Sequence, residues 1–511
     1  MNIYVERAGF DSFQTEIFNI CKLFFEQVEM NYESPEQSDI QLHIELRNDG
    51  IQARAATMLR AGEETRLQSV FEKQLTPDSP PDMRKRTLKR VISYTLLEVL
   101  QKHTGLEQPW GILTGVRPTK LVHLLRTTRT TEQVEQLLRE EYLVTEPKIR
   151  LLIDIADRQL NVIPDFFEVG KKEVSVYIGI PFCPTKCAYC TFPAYDIRGQ
   201  NGSVEAFLEG LHYEIREMGR WMRMAGLQIT TIYWGGGTPT SIEAEQMDAL
   251  FQTMQESFPD LTRVRELTVE AGRPDTITPD KIEVMKKWKT DRISINPQSF
   301  TQETLDLIGR HHTVKETVEK FELAREMGLS NINMDLIIGL PNEGYEEFER
   351  TLAQTERLLP ESLTVHTLSF KRASKMTKNR DQYEVAERDE IQEMMTRAIE
   401  WTEEMGYVPY YMYRQKNILG NLENVGYSLP GKESLYNILM MEENQSIIGL
   451  GCGAVSKIMF PAERDEATGE EKQHIERFPN PKEPSVYNES YKEYIAKKIK
   501  LLDEAYGLVR S

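Results

Sequence analysis

Cysteine is scarce in this sequence, and neither a long apolar run nor an excess of positive charge is present. Five cysteines in 511 residues cannot form the dense disulfide framework of small secreted proteins. No run approaches the roughly eighteen consecutive apolar residues that a membrane helix needs. The formal net charge of −18 opposes unspecific binding to nucleic acid or to anionic lipid. We therefore predict a globular protein of several domains that binds neither nucleic acid nor a membrane.

The first residues, MNIYVERAGFDSF, contain neither the basic segment nor the apolar segment that marks a signal peptide. The protein is therefore expected to stay in the cytoplasm. Nothing in the sequence indicates an oligomer, so a monomer is the default expectation.

The pattern of apolar residues divides the chain into three predicted regions. Residues 1–170 combine short alternating runs with helical stretches, which indicates an N-terminal α+β domain of unknown role. In residues 171–371, strand-like runs alternate with amphipathic helical stretches, as in parallel βαβ units. The number of such units favours an open, partial (β/α)6 barrel over a closed eight-stranded one. Residues 372–511 are predicted to form a mainly helical C-terminal region that covers the substrate.

Six strand-like runs define the predicted barrel: VSVYIGI, TTIYW, ELTVE, RISINP, NINMDLIIGL and SLTVHTLSF. Helical stretches separate them, among them residues 203–224, 242–257, 313–327 and 344–358. Parallel α/β folds carry their chemistry at the carboxyl ends of the strands. Functional residues are therefore expected directly after these runs.

Three of the five cysteines follow the first strand of the predicted barrel. Cys183, Cys187 and Cys190 have the spacing C-x3-C-x2-C. Thiolates are the usual ligands of iron–sulfur clusters, so three of them can bind three irons of a [4Fe–4S] cube and leave the fourth iron open. An open iron can chelate the amino and carboxylate groups of S-adenosylmethionine (SAM), whose reductive cleavage releases a 5′-deoxyadenosyl radical.

Two other interpretations of these cysteines are weaker. Zinc sites usually need four ligands in paired Cys or Cys/His sets, and no fourth ligand lies nearby in the sequence. Buried free cysteines are common, but three of them at this spacing are improbable by chance. The isolated Cys21 and Cys452 are better interpreted as packed thiols.

Seven motifs in order give the sequence a family resemblance: YIGIPFCPTKCAYC, YWGGGTPT, VEAGRPD, ISINPQSF, GRHHT, NMDLIIGLP and GLGCGAVS. The cysteine loop resembles that of the radical SAM superfamily. The fuller pattern resembles the oxygen-independent coproporphyrinogen III oxidase family, and most closely its HemZ-type branch. The similarity extends from about Tyr177 to Ile458, and the first 170 residues carry only a likeness to the HemZ-type branch.

The resemblance implies specific roles for residues that match the family motifs. Cys183, Cys187 and Cys190 would hold the cluster, and Glu270 would bind polar groups of SAM at the catalytic centre. One or two SAM molecules are implied, with Gln298, Arg310 and Asp335 around a second one and backbone contacts from the glycine-rich loop. The full set of implied cofactor contacts is Tyr177, Tyr189, Gly236, Gly237, Thr238, Glu270, Gln298, Arg310, Asp335, Ser369 and Val455.

Any of these polar residues could instead cap a helix or form a surface pair. Glu270 and Asp335 fit that alternative poorly, because each interrupts an otherwise apolar strand on the expected active face.

The family reaction is the oxidative decarboxylation of two propionates of coproporphyrinogen III, which gives protoporphyrinogen IX in haem biosynthesis. The resemblance therefore implies a tetrapyrrole substrate and a flavodoxin- or ferredoxin-type electron donor. Since the substrate carries four carboxylates, basic residues are expected near it. Lys371, Arg372 and Arg414 are candidates, although each could be an ordinary surface charge.

Two positions depart from the family pattern. Oxidases of the family have a fourth cysteine where this chain has Phe192, and a histidine where it has Gly179. Both departures leave the cluster ligands intact but bear on the decarboxylation. A haem-binding or haem-trafficking protein, and another radical SAM enzyme that modifies tetrapyrroles, therefore remain alternatives.

Overall fold

The structure is a computed structural model. It describes residues 1–25, 27–62, 65–75, 81–199, 201–370, 374–379, 383–415, 418–464 and 471–508. The predicted carboxylate-binding candidates Lys371 and Arg372 lie outside the described residues. The chain divides into two compact units, Met1–Asp154 with Arg464–Glu471, and Ile155–Glu463 with Lys472–Ser511.

The first unit combines one sheet with several helices. Its strands are β1 (Asn2–Ala8), β2 (Glu29–Asn31), β3 (Ile40–Asn48), β4 (Gln52–Ala61) and β5 (Thr65–Gln74). Its helices are α1 (Gln14–Cys21), α2 (Pro81–Thr104), α3 (Pro118–Arg126), α4 (Thr131–Glu140) and α5 (Glu146–Val162), the last of which is divided between the two units.

The sheet of the first unit has the order β2-β1-β3-β4-β5. Buried and partly exposed residues alternate along β3 and β4, so one face of the sheet is apolar. Helix α2 packs on β4 and β5, and Thr57 and Thr95 share a buried hydrogen bond of 2.7 Å between sheet and helix. The predicted N-terminal α+β region is confirmed.

The second unit contains the remaining elements, two of which, Glu463–Arg464 and Glu471–Lys472, are divided between the units. Its strands are β6 (Glu173–Ile180), β7 (Phe182–Cys183), β8 (Tyr195–Asp196), β9 (Gln228–Gly236), β10 (Glu266–Val269), β11 (Arg292–Ser294), β12 (Ile332–Ile338), β13 (Ser362–Thr367), β14 (Val408–Tyr413), β15 (Asn424–Ser428), β16 (Ile447–Gly451), β17 (Val455–Met459), β18 (Glu463–Arg464), β19 (Glu471–Lys472) and β20 (Ile475–Pro479). Its helices are α6 (Val204–Met224), α7 (Ala244–Ser257), α8 (Pro279–Lys287), α9 (Gln302–Leu307), α10 (Val314–Glu326), α11 (Tyr345–Leu358), α12 (Lys375–Lys378), α13 (Arg388–Glu404), α14 (Leu435–Glu442) and α15 (Pro484–Ala505).

Among the described residues, the second unit is built on an 11-stranded sheet with the order β14-β15-β13-β12-β11-β10-β9-β6-β16-β17-β20. The six predicted strands are β6 and β9 to β13, and they pair in parallel. Strand β16 adds a seventh parallel strand beside β6, with Gly451 opposite Gly179. The predicted α/β fold with a radical SAM barrel is confirmed.

The C-terminal region, which was predicted to be mainly helical, also contributes strands to this sheet. Strands β14 and β15 extend one edge in antiparallel pairing, and β16, β17 and β20 extend the other. Helix α15 packs on α6. No helix in the described part of the chain has both the length and the apolar character that crossing a membrane requires.

Burial explains why the barrel strands read as nearly continuous apolar runs. The residues of β6 are buried except Glu173 and Tyr177, and the residues of β12 are buried except at one position in the middle of the strand. That position is Asp335. Helix α10 begins at a capping box in which the backbones of Thr313 and Glu316 bond to each other's side chains. The motif GRHHT therefore also serves as a helix start.

Candidate active site

The cysteine loop leaves the sheet at the carboxyl end of β6. Cys183 is buried in the short strand β7, and Cys187 and Cys190 are partly exposed. The Sγ atom of Cys183 lies 3.3 Å from the Oγ1 atom of Thr238, which follows β9. The cysteine loop therefore begins beside the residues that follow β9. This is the carboxyl end of the parallel strands, where the sequence predicted the active face.

The glycine-rich loop after β9 backs the cysteine loop at very short range. The Gly237 N–H donates to the Ile180 carbonyl at 2.8 Å, and the Thr238 N–H donates to the Phe182 carbonyl at 2.7 Å. A Cβ atom on Gly237 would lie 2.6 Å from the Phe182 carbonyl oxygen and 3.0 Å from the Cys183 Sγ atom. Only glycine fits there, and the reason is contact with the cysteine loop itself.

A segment after α9 holds the other side of the cysteine loop. The Ala188 N–H donates to the Ile308 carbonyl at 2.9 Å. Arg310 is buried, and its guanidinium donates to the carbonyls of Gly272 and Asn296 at 2.7 and 2.6 Å. It also donates to the Tyr189 hydroxyl at 3.4 Å. Arg310 therefore lies beside the loop and contacts Tyr189 within it, and both residues were predicted to contact SAM.

Glu270 follows β10 and faces the same end of the sheet. Its side chain keeps some solvent contact but is otherwise enclosed by protein. Burial, together with the nearby charge of Asp335, raises the pKa of Glu270 to about 8, although the Tyr233 hydroxyl donates a hydrogen bond to it. A Cβ atom on Gly235 would lie 2.9 Å from the Glu270 Oε2 atom, so this glycine makes room for the carboxyl group.

Three tyrosines stack beside Glu270. The ring centroids of Tyr177 and Tyr233 are 6.1 Å apart, and those of Tyr233 and Tyr436 are 4.5 Å apart. Burial raises the pKa of each of these phenols, and the Glu270 charge adds to the rise. The phenols therefore stay neutral and form an apolar wall with polar tips.

Asp335 is the second carboxyl group of the site, and it behaves differently from Glu270. It accepts hydrogen bonds of 2.9 Å from the side chains of both Asn296 and Asn333, and His366 Nε2 lies 3.6 Å from its Oδ2 atom. Burial alone would raise the pKa of Asp335, but the His366 and Asn333 contacts outweigh it and keep the pKa below its usual value. The site thus pairs a carboxyl group that is mostly neutral at pH 7 with one that is ionised.

Gln298 pairs with β12 in a strained backbone conformation. Its φ angle is +66°, and its backbone bonds to the Asp335 carbonyl and the Ile337 N–H at 2.9 and 3.0 Å. The side-chain Oε1 atom of Gln298 is buried and has no hydrogen-bond partner among the described residues. A buried acceptor without a partner is costly, so it marks a place where a ligand could donate a hydrogen bond.

Three other residues that were predicted from the sequence differ in burial. Ser369 is buried after β13 and forms a β-bridge with Ile418. Val455, at the start of β17, is 39% exposed. Arg414 is a buried residue rather than a surface charge, and its guanidinium donates to the Asn421 side chain at 2.5 Å.

The structure explains one departure from the family pattern. Gly179 stands where a histidine was expected, and the turn after β16 packs directly on it. A Cβ atom on Gly179 would lie 2.9 Å from the Cys452 carbonyl oxygen, so a histidine does not fit here. Phe192, in place of the fourth cysteine, has a side chain that is 59% exposed.

The cysteine triad suits a cluster better than a single ion. Within the described residues, no three His, Cys, Asp or Glu side chains converge closely enough to hold one metal ion. A cluster makes a different demand, because each thiolate binds a separate iron. The buried acceptor on Gln298, which has no partner among the described residues, fits a polar ligand bound beside such a cluster.

The site residues that were not predicted from the sequence include Tyr233, Asn296 and His366, and also Arg273, whose Nη1 atom donates to the Thr185 hydroxyl at 2.9 Å. Asn296 comes two residues after β11 and His366 lies near the carboxyl end of β13, so the expectation that functional residues lie at the carboxyl ends of the strands could have found them. Tyr233 and Arg273 gave no comparable signal, since a tyrosine in a strand and an arginine in a loop are both ordinary.

Comparison with known proteins identifies the family. The sequence pattern of the Radical SAM superfamily matches residues 177–354. The oxygen-independent coproporphyrinogen-III oxidase-like protein HemZ of Bacillus subtilis (strain 168) is 53% identical over 507 residues, which is 99% of both chains. The chain belongs to the HemZ family. The predicted resemblance is thereby confirmed, and membership of the radical SAM superfamily implies a [4Fe–4S] cluster and SAM.

More distant relatives of this HemZ family member include proteins of different stated function. The heme chaperone HemW of Escherichia coli (strain K12) is 29% identical and covers 56% of this chain and 71% of its own length. The oxygen-independent coproporphyrinogen III oxidase of the same organism is 30% identical over 38% of this chain and 42% of its own length. The solved structure of coproporphyrinogen III oxidase (HemN) from Escherichia coli shares the fold, with a TM-score of 0.50 and 22% identity over 66% of this chain and 72% of that one.

Proposed function

We propose that this chain is a radical SAM oxidoreductase that converts coproporphyrinogen III to protoporphyrinogen IX without oxygen. The observation that carries the proposal is the cysteine loop at the carboxyl end of the parallel strands, in the same sheet as the interacting carboxyl groups of Glu270 and Asp335. Similarity to HemZ over the whole chain supports the substrate class.

The chain's own residues supply a binding site for the cofactors. Cys183, Cys187 and Cys190 would hold the cluster, and a bound cluster with SAM supplies a carbon radical that removes hydrogen from unactivated C–H bonds. Asp335, ionised and held by two asparagine side chains, is oriented to accept hydrogen bonds from a ligand. Glu270 offers a second carboxyl group. Its pKa of about 8 means that it ionises as the pH rises above neutral.

The proposed reaction balances for each propionate. The side chain –CH2–CH2–COO⁻ loses one hydrogen atom from the carbon next to the ring, one electron and carbon dioxide, and it becomes –CH=CH2. The electron passes to an acceptor, and a flavodoxin- or ferredoxin-type protein reduces the cluster. The substrate is a tetrapyrrole with four carboxylates, which basic side chains would recognise.

A second candidate function is haem binding without turnover. The exposed side chain of Phe192, where oxidases of the family have a fourth cysteine, favours it, and so does the similarity to HemW proteins. This function would use the same site but would yield no new product.

Product analysis distinguishes the two functions. The reconstituted protein is incubated without oxygen with SAM, a reductant and coproporphyrinogen III, and the porphyrins are analysed by mass spectrometry. Two successive losses that correspond to propionate-to-vinyl conversion support the oxidase. Stoichiometric haem binding with unchanged coproporphyrinogen supports the second function and refutes the first. Cys187→Ala should abolish product formation, and Cys21→Ala, which removes a buried thiol of the first unit, is the control.

A further inference from the structure

A threonine between the first two cysteines adds a side-chain link to the backbone contacts that hold the cysteine loop. The Thr185 hydroxyl accepts a hydrogen bond of 2.9 Å from Arg273 Nη1 and donates one of 2.9 Å to the Gly309 carbonyl. Arg273 follows β10, and Gly309 follows α9. One hydroxyl therefore joins the loop to two separate parts of the barrel.

Arg273 is held rigidly in the position from which it reaches the loop. It is 3% exposed, and its Nε and Nη2 atoms donate to the two carboxylate oxygens of Asp275 at 3.0 and 2.8 Å. This bidentate pair fixes the plane of the guanidinium group and aims the remaining Nη1 atom at Thr185. A lysine could supply the charge, but it could not bond to Asp275 through two atoms and reach Thr185 as well.

The position of Arg273 also places a positive charge near the cysteines. Its charge acts directly on Cys183, and three thiolates in one loop repel one another. The properties of an iron–sulfur cluster depend on nearby charge and on hydrogen bonds around its ligands. Arg273 can therefore influence a bound cluster through the loop geometry and through its field.

We propose that Arg273 is a positioning residue for the cysteine loop: through Thr185 it fixes the spacing of Cys183 and Cys187 on which cluster binding depends. The inference rests on the cluster assignment in the proposed function but not on the decarboxylation. It assigns a role to the arginine of the motif VEAGRPD, which follows Glu270 by three residues and contacts the cysteine loop through Thr185.

Four variants test this role on the full-length, reconstituted protein. Arg273→Met removes the anchor, and Thr185→Val removes only the bridging hydroxyl at nearly constant shape. Thr185→Ser keeps the hydroxyl and should restore the wild-type behaviour. Arg263→Met removes an exposed arginine from the turn Leu261–Arg263, which precedes β10, and is the charge control.

The readouts are cluster retention and cluster spectroscopy, which a merely structural role would leave unchanged in a folded variant. Loss of the cluster absorbance is timed under an iron chelator, and the reduced cluster is examined by electron paramagnetic resonance (EPR). Arg273→Met and Thr185→Val should release iron about 10- to 100-fold faster, the usual effect of removing a residue that orients metal ligands, and their EPR spectra should change. Thr185→Ser and Arg263→Met should match the wild type.

Unchanged release rates and spectra in Thr185→Val would overturn the proposal. If Arg273→Met fails to fold, the pair Thr185→Val and Thr185→Ser still decides, since it differs in one hydroxyl. A wild-type protein that binds no iron–sulfur cluster would refute both this inference and the proposed function. A wild-type protein that holds the cluster but leaves coproporphyrinogen unchanged would refute only the decarboxylation.

Discussion

The raised pKa of Glu270 makes SAM binding dependent on pH in a specific direction. With a pKa of about 8, set first by burial and then by the charge of Asp335, about one Glu270 in ten is ionised at pH 7. The proposed role of Glu270 is to accept hydrogen bonds from polar groups of SAM, and the carboxylate is the stronger acceptor. SAM should therefore bind more tightly as the pH rises and Glu270 loses its proton.

The magnitude follows from the ionised fraction of Glu270. That fraction rises about 50-fold between pH 6 and pH 8, and less than twofold between pH 8 and about pH 9. Glu270→Gln keeps the shape of the side chain but does not ionise. The ratio of the wild-type to the Glu270→Gln association constant should therefore rise about 50-fold between pH 6 and pH 8 and then level off.

Isothermal titration calorimetry with SAM, at several pH values, measures the association constants of the reconstituted wild type and of Glu270→Gln. The ratio cancels the ionisation of SAM itself, because both proteins bind the same ligand. The negative charge of a bound cluster would shift the rise to higher pH without reversing it. A ratio that is constant from pH 6 to pH 9, or that falls with rising pH, would show that Glu270 does not bind SAM as a carboxylate.

Two further substitutions test the packing around the site. Gly237→Ala places a Cβ atom 3.0 Å from Cys183 Sγ and 2.6 Å from the Phe182 carbonyl oxygen. The purified variant should therefore hold much less iron in a colorimetric assay. An iron content equal to that of the wild type would show that the cysteine loop tolerates a side chain at this position. Lys498→Met should lower the free energy of unfolding by about 3–5 kcal/mol in urea titrations, because it leaves Glu214 charged, buried and without its 2.6 Å partner. Lys497→Met, at the exposed neighbouring residue, should leave the free energy of unfolding nearly unchanged, and equal effects of the two substitutions would contradict the role given to the buried pair.

The sequence predicts the barrel well because its strands and helices have distinct periods. Each of the six predicted strand runs is a parallel strand, and the stretch 203–224 is found as α6, Val204–Met224. The edges of the sheet were less predictable. Strand β16 comes about 270 residues after β6, and short-range patterns do not report which distant segment pairs with an edge.

The candidate site shows the same contrast: local sequence patterns reveal some of its residues, but contacts between distant segments leave no such pattern. The cysteine spacing and the isolated carboxyl groups of Glu270 and Asp335 stand out because each breaks an apolar pattern. Arg273 does not, since an arginine in a polar loop has no sequence signature, and its role depends on a 2.9 Å contact with a residue 88 positions away. The protonation states of the two carboxyl groups also depend on the folded surroundings, because burial and the contact with His366 set them.

The central claim is that three cysteines hold a cluster whose fourth iron is open to SAM. EPR of the anaerobically reconstituted, reduced protein with and without SAM tests it most directly, with iron analysis and the Cys187→Ala variant alongside. The account predicts about four irons per chain, a spectrum that changes when SAM is added, and the loss of both in the variant. Bound zinc in place of iron, or a cluster spectrum that SAM leaves unchanged, would contradict it.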